Sequence, residues 1–97
     1  MKLAVVARLI WIDYKLNKDR LNRIDICKTF SIATAQAIKD IQTFKKLFPS
    51  KIVYDYGKKC YVKPKDELSV WDSRVHDSVL TFLEHSKPVV ADLCHIY

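Results

Sequence analysis

The sequence predicts a mainly α-helical domain with one small β-hairpin, and three observations point there. Apolar residues recur at spacings of three and four in four separate stretches, the mark of amphipathic helices. One short run of β-branched and aromatic residues around Gly57 interrupts them, as a hairpin would. Gly57 is also the only glycine in 97 residues, too few for the positive-φ turns of a sandwich or barrel. The chain is 49% hydrophobic and 29% charged, which excludes a disordered or low-complexity polymer. A chain of this length holds one core.

Residues 3–14 place Leu3, Val6, Ile10 and Tyr14 on a broad apolar face, which predicts a buried first helix. A polar stretch follows. Asn22 suits an N-cap and Asp25 the first turn of a second helix over residues 23–30, with Ile24, Cys27 and Phe30 expected to face inward. Ser31, Ile32 and Ala33 leave room only for a tight connection. A third helix then runs from Thr34 to the region of Phe48, stopped by Pro49. At 100° per residue, Ala37, Ile41, Phe44, Leu47 and Phe48 fall on one side. Thr34, Ala35, Ile38, Lys39, Gln42, Lys45 and Lys46 fall on the other. Two helices joined by about three residues, with small Ala37 at the crossing, follow helix-turn-helix logic.

Ile52, Val53, Tyr54 and Tyr56 before Gly57, with Cys60, Tyr61 and Val62 after it, predict a hairpin that carries Lys58 and Lys59 at or near its tip. Beside the third helix such a loop is the wing of a winged helix. Ser69 with Asp72 resembles a capping box and opens a last helix to about Ser86, expected to end before Pro88. Its stripe, Trp71, Val75, Val79, Phe82 and Leu83, is expected to form a dimer contact, which the largely apolar residues 89–97 would extend or fold back over. The expected division is a winged helix-turn-helix over residues 1–66 and a C-terminal helix and tail over 67–97.

Charge is unevenly placed. Residues 15–65 hold thirteen Lys or Arg against four Asp, whereas residues 66–97 hold two against six acidic residues. A basic field over half a small domain attracts polyanions, above all nucleic acid.

The runs Asn22-Arg23-Ile24-Asp25-Ile26, Phe30-Ser31-Ile32-Ala33-Thr34-Ala35-Gln36-Ala37-Ile38-Lys39-Asp40-Ile41, Phe48-Pro49, Val53-Tyr54-Asp55 and Tyr61-Val62 form a pattern. It resembles the N-terminal winged helix-turn-helix of bacterial transcription regulators that carry a WYL domain, of the kind that control phage-defence loci. The resemblance implies DNA binding, with Gln36 contacting DNA near the start of the third helix. Three positions depart from the family. Ser31 stands where Gly is common, Ala33 where Ser or Thr is common, and Ile38 where Ser is common. No residues follow Tyr97 to form a ligand-sensing domain, so the expectation is a stand-alone module of the sort a phage, plasmid or other mobile element encodes.

With the third helix in a major groove, Thr34, Ala35, Ile38, Lys39 and Gln42 lie where base edges would be. Gln42 can pair with adenine, Lys39 with guanine or phosphate, and Ile38 can touch a thymine methyl but cannot read guanine. Arg23, Lys45, Lys46, Lys51, Lys58 and Lys59 are expected as phosphate clamps, which give affinity rather than sequence choice. Catalysis is not expected, since there is neither a paired-carboxylate signature nor a Gly-rich phosphate loop. His76, His85, His95 and Cys94 lack zinc-ligand spacing, so no metal and no cofactor is expected. The longest apolar stretch is broken by Arg8 and is too short to span a bilayer. The N-terminus lacks a signal-peptide pattern, and three widely spaced cysteines suit reduced thiols. A cytoplasmic protein without membrane contact is expected. The function expected is that of a dimeric, sequence-specific repressor on double-stranded DNA. The alternative is a winged-helix module that binds or inhibits a host regulatory protein.

Overall fold

The structure, a computed structural model, describes the backbone of residues 1–96 and the side chains of residues 1–85. Its elements in order are α1 (Leu3–Lys18), α2 (Arg23–Phe30), α3 (Thr34–Leu47), a 3-10 turn (Pro49–Lys51), β1 (Val53–Asp55), β2 (Cys60–Val62) and α4 (Ser73–Ile96). The core forms where the apolar stripes meet. α1 supplies Leu9, Ile12 and Leu16, α2 supplies Ile26 and Phe30, and α3 supplies Ala37, Ile41 and Phe44, closed by Leu21, Ile52 and Leu83. Ala37 is fully buried, as a small residue between two close helices should be.

α1 extends a turn beyond the expected residue 14 because Leu16 continues its buried stripe. In α2 the inward residues are Ile26 and Phe30, with Phe30 edge-on to Trp11 at 5.8 Å. Ile24, expected inside, is 54% exposed, and Cys27 is only half-buried. A helix of eight residues offers two overlapping stripes, and the i, i+4 pair that meets α1 takes the core. On α3 the expected inner face holds except for Leu47, which is exposed where the helix gives way to the 3-10 turn. Phe48 instead turns inward and stacks edge-on with Phe44 at 5.2 Å and Trp71 at 5.5 Å.

The hairpin is antiparallel, with Val53 opposite Val62, Tyr54 opposite Tyr61 and Asp55 opposite Cys60. Its turn does not use Gly57 for a left-handed backbone; Lys59 takes that role, with φ 56°. The Lys58 backbone N–H donates to Asp55 Oδ1 at 3.0 Å, closing the turn. An unexpected bridge flanks the hairpin. The Leu21 N–H donates to the Tyr61 carbonyl at 2.9 Å, and the Tyr61 N–H to the Leu21 carbonyl at 2.8 Å. That pairing locks the wing to the segment between α1 and α2.

The expected Ser69/Asp72 capping box does not form. Asp72 is itself the cap of α4: its Oδ1 accepts the Arg74 and Val75 N–H groups at 2.9 and 3.2 Å. Residues 69–72 stay out of the helix because Asp13, buried in α1, claims their backbone. Asp13 accepts the Val70 and Trp71 N–H groups, both at 2.9 Å, and its Oδ2 lies 2.8 Å from His76 Nε2. This clasp pins the start of α4 to α1. α4 continues through Pro88, the expected stop; a proline removes one donor and crowds the carbonyl four residues back, which need not end a helix. The tail contact expected of residues 89–97 lies outside the described side chains.

Candidate nucleic-acid interface

The connection between α2 and α3 sets how α3 is presented. Ser31 ends α2 in the left-handed region, φ 54° and ψ 48°, a conformation that glycine adopts more readily than serine. The Ile32 N–H then reaches back to the Cys27 carbonyl at 3.2 Å. Ala33 is the N-cap of α3 and provides no side-chain bond. The Asp25 carboxylate accepts the Asn22 N–H at 2.8 Å, fixing the start of α2.

A second buried polar cluster anchors α3 from behind. Arg8 Nε of α1 lies 2.5 Å from Asp40 Oδ2, and Asp40 is only 1% exposed. Gln36 Nε2 donates to the other oxygen of Asp40 at 3.0 Å. Gln36 is thus half-buried at the edge of the helix face, with its amide nitrogen directed at its own chain. Asp40 and Asp13 were not legible as anchors, because their partners lie 32 and 57 to 63 residues away in sequence.

With its inner side held, α3 leaves its other side uncovered. Thr34, Ala35, Ile38, Lys39, Gln42, Lys45 and Lys46 are all exposed among the described residues, with Ile38 at 37%. A groove runs between the start of α2, this stripe and the wing. Arg23, Ile24, Ile38, Gln42, Tyr54 and Lys59 are among its lining residues. Lys58 and Lys59 are exposed at the wing tip, and Arg23 at the start of α2. Lys51 differs from the other expected clamps. Its Nζ pairs with Glu67 at 3.0 Å and its side chain is 23% exposed, so its charge is compensated within the domain. The wing's shape rests on aromatic packing of Tyr54 against Tyr56 and Tyr61, each at 4.9 Å.

The stripe expected to make a dimer contact is divided. Leu83 is 6% exposed and belongs to the core, and Trp71 and Val79 pack against it, so these three serve the fold of the single chain. Val75 is half-buried and Phe82 is 61% exposed. Phe82 and Val79 border an apolar groove between α4 and α1, completed by Leu3, Val6 and Ile10. Among the described residues no three His, Cys, Asp or Glu groups cluster as metal ligands. No described helix is long and apolar enough to cross a membrane.

Three packed helices, a hairpin wing bridged to Leu21 and a third helix with an uncovered polar and cationic face define a winged helix-turn-helix domain. Residues 5–84 match the BrxR transcriptional regulator winged helix-turn-helix domain, and the chain belongs to that family of transcriptional regulator domains. The match takes in the first half of α4 together with the helices and wing. Comparison with curated proteins found no match.

Proposed function

We propose that this chain binds double-stranded DNA in a sequence-specific way, with α3 in the major groove and the wing on the flanking backbone, and that it acts as a dimeric transcriptional repressor. The observation that carries this reading is the α3 stripe, uncovered and flanked by cations, in a domain whose family is that of transcriptional regulators. In this reading Lys39 and Gln42, both exposed on α3, meet base edges. Arg23, Lys45, Lys46, Lys58 and Lys59 supply positive charge where phosphates would run, and Lys51, held by Glu67, does not. Exposed Asp77 and Glu84 lie on α4 and exposed Asp72 caps it, so these acidic groups belong to a different element from the cationic stripe.

Dimerisation is supported by the apolar groove between α1 and α4. Leu3 at 84% and Phe82 at 61% exposure are large apolar groups that a monomer leaves in water. A two-fold pair would cover them and set two α3 helices on successive turns of an inverted repeat. Repression then follows from occlusion of a promoter.

The test is fluorescence anisotropy of the 97-residue chain with duplexes selected from a random pool. Lys39→Ala combined with Gln42→Ala should weaken binding at least tenfold while leaving the circular dichroism spectrum unchanged. Binding that is absent, or equally tight in this double variant, would refute the reading.

A further inference from the structure

We infer that the groove between α2, α3 and the wing reads the 5-methyl group of thymine, with Ile38 and Ile24 as the contacting side chains. The inference rests on the proposed DNA-binding reading and deepens it. Ile24 is 54% and Ile38 37% exposed, whereas their neighbours Ile26 and Ile41 are buried. The core is therefore complete without them. Both exposed isoleucines line one groove together with Arg23, Gln42 and Lys59.

An apolar patch inside a cationic surface is unsuited to phosphate, which wants donors and positive charge. In the major groove of a duplex the apolar feature presented by base edges is the C5-methyl of thymine. Charge complementarity selects the occupant: Arg23 and Lys59 among the lining residues favour a polyanion, and Ile24 and Ile38 beside them favour a methyl-bearing edge. Gln42 lies one turn after Ile38 and so on the same face. A carboxamide there can hold adenine by its N6 and N7 while Ile38 meets a thymine methyl on a neighbouring pair. The element read is then a short A·T step, recognised by one polar and one apolar contact.

The experiment first enriches duplexes from a random pool with the full chain, then replaces each thymine of the enriched sequence singly by deoxyuridine, which removes the methyl and nothing else. At one or two positions the replacement should weaken binding about fourfold, the effect of one buried methyl. At the position read by Ile38, the Ile38→Ser variant should bind the thymine and uracil duplexes equally; Ile24→Ser should do the same at the position it reads. Uracil duplexes that all bind as tightly as the parent would overturn the inference and leave DNA binding intact. A methyl effect that persists in both variants would overturn the assignment to these residues. A pool from which no duplex is enriched would remove the DNA-binding reading itself, and this inference with it. The uracil scan on the unaltered chain decides the point even if a variant fails to fold.

Discussion

Ser31 carries a backbone conformation that L residues adopt at a penalty of about 1 kcal/mol. Ser31→Gly should relieve it and raise the thermal midpoint by roughly 3–6 °C, with DNA binding unchanged; a lowered midpoint in a thermal melt would contradict this. Asp13 makes the opposite case. It is 1% exposed and meets two backbone N–H groups and His76. Asp13→Ala leaves all three without their acceptor, and urea unfolding should show a loss on the order of 3 kcal/mol. A loss below about 1 kcal/mol would mean that water replaces the carboxylate. In sequence, Asp13 reads only as a charge that breaks an apolar stretch. The absence of a glycine at residue 31 was visible there; which residue would take the left-handed angle depended on the fold.

At the scale of elements, α2, α3 and the hairpin were legible because periodicity, Pro49 and the β-branched runs are local signals. The start of α4 was not, since the reach of Asp13 across the chain overrides the local capping pattern at Ser69 and Asp72. On α2 the structure agrees with the expected inward Phe30, and Cys27 packs against the core, but Ile24 faces out: eight residues do not distinguish Ile24 from Ile26 as the inner partner, and the packing against α1 decides. The difference matters for function, because Ile24's outward position puts a second exposed isoleucine in the groove beside Ile38. The wing offers a direct electrostatic check. Lys58→Ala with Lys59→Ala should reduce the slope of log affinity against log salt by about two. Lys51→Ala should leave that slope unchanged, as its charge is held by Glu67. A reduction of about one for Lys51→Ala would show that the ion pair opens on DNA.

Across the whole molecule, two buried polar clusters tie α1 to the other helices: Arg8 to Asp40 in α3, and Asp13 to the entry of α4. α1 is therefore the frame on which the α3 stripe and the α1/α4 groove are both mounted. The uneven charge along the chain foretold a basic face, but not that much of the C-terminal stripe would be absorbed into the core. What remains exposed is smaller than expected and centred on Phe82 and Leu3. Phe82→Glu should convert a dimer to a monomer in sedimentation equilibrium and weaken binding to a two-half-site duplex more than to a single half-site. A chain that sediments as a monomer before any change would contradict the dimer.

The uncovered α3 stripe is most directly tested by residue-resolved amide chemical shifts of the full chain during titration with an enriched duplex. The expected result is a contiguous set of shifts over residues 34–46, joined by residues 23–24 and 58–59, with little change at the α1/α4 groove. Shifts confined to α1 and α4, with α3 unmoved while DNA is bound, would contradict it.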